Sequence, residues 1–189
     1  LGALVVDGGY LRTKALRISV SGGGTPDPDS IVKIRSGEVK ADVTIGGPNA
    51  GDVDLGLDAP GTLELSGGTL TVDNNMDFTE GTLRVIGTNG TVTMGNEFKF
   101  GMNASKVTET AFVLGADGGV SKISADSITF TGPQFISIDG TFAETDAEQT
   151  LVLIELTGSD TFSAAELDAL NDSLELINVS EGVLSLSGD

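Results

Sequence analysis

A three-part pattern recurs along the chain. It consists of a segment in which apolar and polar residues alternate, a corner that contains glycine, and a second alternating segment. Residues 61–72 read GTLELSGGTLTV, and residues 81–94 read GTLRVIGTNGTVTM. The leading Gly-Thr-Leu recurs after 20 residues (81 minus 61), and the Thr-Φ-Thr-Φ half recurs after 22 (91 minus 69). The corner has gained two residues while both flanking segments are kept, so we treat the repeat as one structural unit.

Three further segments fit the same template. Residues 4–13 read LVVDGGYLRT, residues 32–41 read VKIRSGEVKA, and a fainter copy runs over residues 112–123 as FVLGADGGVSKI. Side chains alternate between the two faces of a strand, which places Leu63 and Leu65 on an inward face and leaves the intervening residues outward. Each copy therefore predicts two strands joined by a glycine-containing corner.

The spacing of the copies predicts an all-β solenoid. A period of roughly 20–30 residues matches one coil of a parallel β-helix, in which each coil buries its inward side chains against the next. Thr and Val are β-branched and favour an extended backbone. The alternative is a β-sandwich of hairpins, because Asn89-Gly90 is also a hairpin turn signal.

The chain divides into a regular and a less regular part. We predict a repeat region over residues 1–105 and C-terminal coils with a cap over residues 106–189, within the same domain, since a solenoid must cover its open apolar end. The segments 21–30 and 46–61 are rich in Gly, Pro and Asp and are predicted to be loops. Ser163 and Glu166 form a capping-box pattern that predicts a short helix over residues 164–171. Further strands are predicted at 127–130, 135–138, 151–156 and 174–179.

Composition excludes several classes of function. The 189 residues include 28 acidic and 10 basic side chains, for a net charge of −18, with no Cys and no His. A thiolate metal site, a disulfide framework and a Ser-His-Asp triad are thereby excluded. The negative charge repels phosphate backbones and anionic lipids, so we expect no nucleic-acid partner. No apolar stretch approaches the ~20 residues that span a bilayer, and we expect no membrane insertion.

Residues 43–72, VTIGGPNAGDVDLGLDAPGTLELSGGTLTV, resemble the autotransporter-associated strand repeats of bacterial surface and secreted proteins. The tail is also similar to the C-terminal part of related proteins, with Ser137-Ile138-Asp139-Gly140 followed by the apolar segment 151–156 and by Gly158-Ser159. The resemblance implies a right-handed parallel β-helix, displayed outside the cell in adhesion or in a surface or matrix structure. It implies no catalytic residues.

Acidic clusters are the candidate binding sites. Asp73, Asn75 and Asp77 stand at positions 1, 3 and 5 of an EF-like loop, although Phe78 replaces the glycine of position 6. We predict a looser Ca²⁺ site there, against the alternative that these side chains bond the backbone of a tight corner. A second set of acids could likewise hold Ca²⁺, although we interpret its members as solvated loop acids, and it comprises Asp27, Asp29, Asp52, Asp54 and Asp58.

Enzyme and lectin functions find little support. Inverting glycosidases need two carboxylates facing each other across ~6.5–9.5 Å, a condition that some pair among 28 acids meets by chance. Carbohydrate-binding sites usually show exposed Trp or Tyr, and this chain has no Trp and one Tyr. The bases that a lyase would use are interpreted as outward polar positions of strands, and they are Arg12, Arg17, Lys33, Arg35 and Lys40.

Two further features have a structural and a functional interpretation. Asn-x-Ser/Thr triplets, the acceptors of N-glycosylation, begin at Asn89, Asn103, Asn171 and Asn178, and in a bacterial protein we expect them to stay unmodified. The apolar run at residues 151–156 predicts a strand buried on both faces, or one that pairs across a subunit contact.

These observations predict a non-enzymatic extracellular structural protein, exported by a bacterium. We expect a self-assembling subunit of a surface layer, sheath, fibre or matrix, whose acidity keeps the surface soluble or bridges it through divalent cations. The alternatives are a polysaccharide-processing β-helix enzyme and a monomeric adhesin module. The expected partner is a second copy of the chain, and polysaccharide is the other candidate.

Overall fold

The computed structural model describes residues 3–19, 29–140, 150–159 and 161–177. Within these residues the chain is all-β, with sixteen strands, one α-helix and one 3-10 helix over Val43–Ile45. The strands form a large curled sheet and a smaller sheet. Within each sheet, every pair of hydrogen-bonded strands is parallel. Consecutive strands are not paired as hairpins in these residues, so the hairpin sandwich is wrong.

The eleven-stranded sheet contains two strands from each of the units that follow residue 60, up to residue 156. Its members are β1 (Ala3–Thr13), β3 (Ile31–Ala41), β5 (Gly61–Leu65), β6 (Gly68–Val72), β8 (Gly81–Ile86), β9 (Gly90–Met94), β11 (Thr108–Val113), β12 (Ile123–Ala125), β14 (Gln134–Asp139), β15 (Ile154–Leu156) and β16 (Leu174–Ile177). The copies at residues 4–13 and 32–41 were expected to form two strands each, yet each lies within a single strand of eleven residues. The five-stranded sheet contains the third strand of a unit, and its members are β2 (Leu16–Ile18), β4 (Val53–Leu55), β7 (Met76–Phe78), β10 (Glu97–Phe100) and β13 (Ser127–Phe130).

Equivalent strands of successive units pair with each other in register. Gly61 of β5 lies opposite Gly81 of β8, and Gly68 of β6 lies opposite Gly90 of β9. The predicted alternation is confirmed, because Leu63, Leu65, Leu70 and Val72 are fully buried while the residues between them are partly exposed. The first strand of a unit therefore pairs with the first strand of the next unit, and the second strand pairs with the second, within the same sheet.

Inward side chains of both sheets belong to one apolar core. Each inward position is stacked on the equivalent position of the next unit, and in the small sheet Leu55, Phe78, Phe100 and Phe130 follow one another in this way. The ring centroids of Phe100 and Phe130, which lie in strands of adjacent units, are 5.5 Å apart. Aromatic pairs at this distance add stabilisation beyond the burial of their area, so the core is closely packed across units.

Several segments differ from the sequence-based prediction. The segment 46–61 was expected to be a loop, yet it contains β4, whose three residues are all buried. Residues 151–156 were expected to form a strand buried on both faces, yet only Ile154–Leu156 is a strand and Val152 is 54% exposed. Both errors concern strands of three residues, which are too short for an alternation to establish a periodicity.

Other predictions at the C-terminal side are confirmed. The strands expected at 127–130 and 135–138 are β13 and β14, and that at 174–179 begins as β16, with residues 178–179 outside the described part. The helix α1 (Ala164–Asp172) has the predicted capping box, with Ser163 Oγ accepting from Glu166 N and the Glu166 side chain accepting from Ser163 N. Parallel ladders continue through β16, well beyond residue 105, and the division at residue 105 stays a prediction.

Candidate functional site: charged columns across the stacked strands

Outward side chains form columns that run across the strands. Lys33, Glu64 and Arg84 occupy the same position of β3, β5 and β8, as the strand register shows. Neighbouring strands lie ~4.8 Å apart, so opposite charges at these positions are in contact distance. Lys33 Nζ lies 3.1 Å from Glu64 Oε1. Each such pair links one unit to the next on the outer surface.

The small sheet carries a second charged column. Arg17, Asp54, Asp77 and Lys99 follow one another in register from β2 to β10. Arg17 Nε lies 2.9 Å from Asp54 Oδ2, and Lys99 Nζ lies 3.2 Å from Asp77 Oδ1. The column therefore reads cation, anion, anion, cation, with a carboxylate pair at its centre.

Burial raises the pKa of the Asp54 carboxyl. Arg17 lowers it, while the nearby negative charges of Asp77 and Asp52 add to the increase. The residue is 9% exposed, although we predicted a solvated loop acid at this position. That prediction is wrong because β4 places Asp54 within the sheet between two neighbouring strands.

Side-chain amides connect the units at the corner that leads into the small sheet. Asn74 Nδ2 donates to Asp52 Oδ1 at 2.7 Å, and the backbone N–H of Asn75 donates to the same oxygen at 3.3 Å. Asn96 Nδ2 in turn donates to Asn75 Oδ1 at 2.8 Å. Asp52 is buried and accepts the first hydrogen bonds of this series, so it is also not a solvated loop acid.

The three residues of the predicted Ca²⁺ site each bond to a different part of the structure. Asp73 Oδ1 lies 3.1 Å from Lys40 Nζ, Asn75 Oδ1 accepts from Asn96, and Asp77 is paired with Lys99. Over residues 3–19, 29–140, 150–159 and 161–177 there is no group of three or more His, Cys, Asp or Glu side chains arranged to hold a metal ion. The Ca²⁺ site stays a prediction that these contacts do not support.

Asp42 is the centre of a tight polar network at the start of the inserted segment after β3. Arg12 Nε donates to Asp42 Oδ2 at 2.5 Å, and Thr44 donates to Oδ1 through its N–H (2.7 Å) and its hydroxyl (2.6 Å). The hydrogen bond from Arg12, followed by those from Thr44, holds the pKa of the Asp42 carboxyl well below its usual range. Asp42 also caps the 3-10 helix through the Thr44 N–H.

The basic side chains that a lyase would use are mostly held in such pairs. Arg12 contacts Asp42, Arg17 contacts Asp54, Lys33 contacts Glu64 and Lys40 contacts Asp73. These outward positions agree with the interpretation from the sequence. The chemical consequence is that each of these cations neutralises a carboxylate of a neighbouring unit or corner.

Sequence reasoning found the strands but missed these columns. The segments VKI, LEL and LRV around Lys33, Glu64 and Arg84 place oppositely charged residues at equivalent positions. Aligning the repeat copies with one another would have revealed the pairing, because parallel in-register stacking brings equivalent positions together.

Comparisons of the chain with protein-family models, with curated proteins and with solved structures gave no match. In the part of the chain that the structure describes, no helix has both the length and the apolar character needed to cross a membrane. The Asn-x-Ser/Thr sites at Asn89 and Asn103 lie at exposed positions, Asn171 lies in α1, and Asn178 lies outside the described residues.

Proposed function

We propose that the chain is a right-handed parallel β-helix and serves as a non-enzymatic structural subunit of a bacterial surface layer, sheath, fibre or matrix. The observation that carries this proposal is the in-register parallel pairing of equivalent strands, which runs from β3 through β5, β8, β11 and β14 to β16. A chain that returns to an equivalent position after each unit winds as a solenoid. Parallel crossover connections are right-handed in nearly all proteins, which supports that hand.

Stiffness is the mechanical property that such a role requires. Each unit is joined to the next by backbone ladders in two sheets, by stacked core side chains such as Phe78 and Phe100, and by outer ion pairs such as Lys33–Glu64. Bending the molecule would stretch all three kinds of contact together. The predicted role as a rod or scaffold therefore has a direct basis in how the units are connected.

Asp54 and Asp77 give no support to a glycosidase. Residues in register on adjacent parallel strands point to the same side of a sheet. An inverting enzyme instead needs two carboxylates that face each other across the sugar. The pair is better explained as part of the surface column that links β2, β4, β7 and β10.

Electron microscopy and sedimentation of the purified chain test the proposal. We expect regular filaments or sheets and species far larger than the 19.2 kDa chain. A monomer that persists at high concentration would overturn the structural role and favour the adhesin module. Turnover of a polysaccharide would favour the enzyme instead.

Repeating the sedimentation with a chelator tests cation bridging separately. If divalent cations connect the acidic surfaces, removing them should reduce the assembly and lower its melting temperature. Unchanged assembly and melting would show that Ca²⁺ has no such role while leaving the structural function intact.

A further inference from the structure

The corner between β8 and β9 ends in an exposed asparagine that is followed by glycine. The corner comprises residues 87–89, and β9 begins directly after it at Gly90. Gly87 is anchored to neighbouring segments, because its N–H donates one backbone hydrogen bond of 2.8 Å and its carbonyl oxygen accepts another of 2.8 Å. Thr88 and Asn89 are exposed. The corner therefore has a fixed start and a solvent-facing end.

The side chain of Asn89 is not held in place. No residue in the described part of the chain is hydrogen-bonded to its amide group. Asparagines at other corners are bound, since Asn96 Nδ2 donates to Asn75 Oδ1 at 2.8 Å and Asn103 Oδ1 accepts from Ser105 N at 2.9 Å. The Asn89 amide is thus left available for reaction with a neighbouring group.

Asn49 provides a comparison, because its side chain also has no hydrogen-bond partner among the described residues. The next residue, Ala50, is buried, carries a Cβ, and donates its backbone N–H to Gly47 O at 3.3 Å. That backbone nitrogen is screened and already engaged. Asn89 is followed instead by glycine, whose missing side chain permits the closest approach of another group to the backbone. The two groups that must meet for deamidation are therefore least obstructed at Asn89.

We propose that Asn89 is a site of spontaneous deamidation. The backbone nitrogen of Gly90 gives up its proton and forms a C–N bond to Asn89 Cγ, and the side-chain nitrogen takes up a proton and leaves as ammonia. Holding nucleophile and amide in adjacent residues makes this attack intramolecular, which is its main kinetic advantage. Water then opens the succinimide ring at either carbonyl. One water is consumed and one ammonia is released, no atom changes oxidation state, and the products are aspartate and isoaspartate.

Deamidation at this corner changes both the charge and the backbone. Each product adds a carboxylate to a chain whose net charge is already −18. Isoaspartate also adds a methylene group to the main chain immediately before β9, where Gly90 is in register with Gly68 of β6. The rise per residue of a strand is fixed, so a longer connection disturbs the first rung of this ladder. This inference is independent of the proposed structural function.

Peptide mass spectrometry of the folded chain, stored at mildly alkaline pH, tests the proposal. Trypsin cuts after Arg84 and Lys99, and fragmentation of the peptide between them distinguishes Asn89 from Asn96. We expect the mass change of amide to acid at Asn89, with isoaspartate detected by an isoaspartyl methyltransferase. The rate should rise with pH, because the attacking nitrogen must lose its proton. Asn103 should react about tenfold more slowly, which corresponds to ~1.4 kcal/mol in the barrier.

Matched substitutions separate this site from the other amides of the chain. Asn89→Gln keeps an amide but requires a larger ring, so we expect isoelectric focusing to show much slower formation of acidic species on storage. Asn103→Gln is the control, at another exposed corner position, and should form acidic species as fast as the unmodified chain. Neither side chain is buried, and a thermal melt before storage checks that both variants are folded.

Three results would overturn the proposal. The first is an Asn89 amide that survives as long as that of Asn103, and the second is a conversion rate that does not rise with pH. The third is an Asn89→Gln variant that becomes acidic as fast as the unmodified chain. The structural function is tested separately by sedimentation and stands or falls without these results.

Discussion

Asp54 of β4 and Asp77 of β7 occupy the same outward position on neighbouring strands, so two carboxylates stand side by side in the small sheet. Each has a cation on its other side, since Arg17 contacts Asp54 and Lys99 contacts Asp77. Like charges directly opposite each other destabilise a sheet. The two flanking cations reduce this repulsion, yet burial still raises the pKa of Asp54.

Replacing Asp54 by Asn should stabilise the protein at neutral pH. A raised pKa in the folded state means that the stability contribution of Asp54 is present below its unfolded pKa and is lost as the pH rises through the folded value. Asp54→Asn removes that loss, and we expect the melting temperature to rise by about 2 °C at pH 7. The difference should vanish near pH 3, where the carboxyl is protonated in both states. A lower melting temperature at pH 7 would mean that the Arg17 contact outweighs burial.

Arg12→Gln should raise the pKa of the Asp42 carboxyl in the folded protein. The lowered pKa of Asp42 stabilises the folded state above the unfolded pKa of ~3.9, and this stability is lost as the pH falls toward the folded value. Without the hydrogen bond from Arg12, the pKa of Asp42 should rise toward the ordinary range, as carboxyl-carbon NMR titration can measure. Arg35→Gln, at an exposed position, is the control and should leave the Asp42 titration unchanged. An unaltered pKa in Arg12→Gln would show that Thr44 alone sets it.

Gly56 and Gly46 offer a matched test of close backbone packing. Both have positive φ, 73° and 79°, so an alanine is strained at either position, and Gly46, with ψ 166°, lies in a region essentially restricted to glycine, where strain costs about 1–3 kcal/mol. A Cβ at Gly56 would lie 1.6 Å from Glu80 O, whereas nothing lies within 4 Å of one at Gly46. We expect Gly56→Ala to unfold the protein or cost at least about 3 kcal/mol more than Gly46→Ala in urea denaturation. Equal costs would contradict the close approach of the β4–β5 corner to Glu80.

Thr110→Val should stabilise the protein. Among the described residues Thr110 lies in the inward column between Leu83 and Ile136, and its buried hydroxyl has no hydrogen-bond partner. Removing an unsatisfied buried hydroxyl relieves a cost of about 1–3 kcal/mol. Ser137→Ala is the contrasting variant, because the buried Ser137 hydroxyl donates to Glu109 Oε1 at 2.7 Å and its loss should destabilise. Chemical denaturation of both variants measures the difference, and a less stable Thr110→Val would indicate a partner for the hydroxyl.

The large sheet could be predicted from the sequence because its strands are long enough to alternate. Leu63 and Leu65 of β5, for example, are separated by a polar residue, and the pattern returns in β8. In the small sheet β13 was predicted, whereas strands such as β4 and β7 could not be, since they contain three residues and a single alternation. Asp77 was therefore assigned to a corner loop, although its neighbours Met76 and Phe78 are fully buried in β7.

The charged surface was less predictable than the strands. Whether Lys33 meets Glu64 depends on the register between units some 31 positions apart, and no pattern within a single segment contains that information. The corner residues show the same limit. Asn75 was considered as a cation ligand, and its side-chain oxygen instead accepts a hydrogen bond from Asn96 at the corner of the following unit.

The unbroken register from Gly61↔Gly81 to Leu65↔Val85 also bears on how such a protein can change in evolution. A segment such as residues 61–80 presents the same backbone ladder on both of its sides. Copying it within the gene would add two strands to the large sheet and one to the small sheet, and it would create no new kind of contact. Each duplication would lengthen the molecule by ~4.8 Å, so its reach can be adjusted in small, equal steps without redesigning the core.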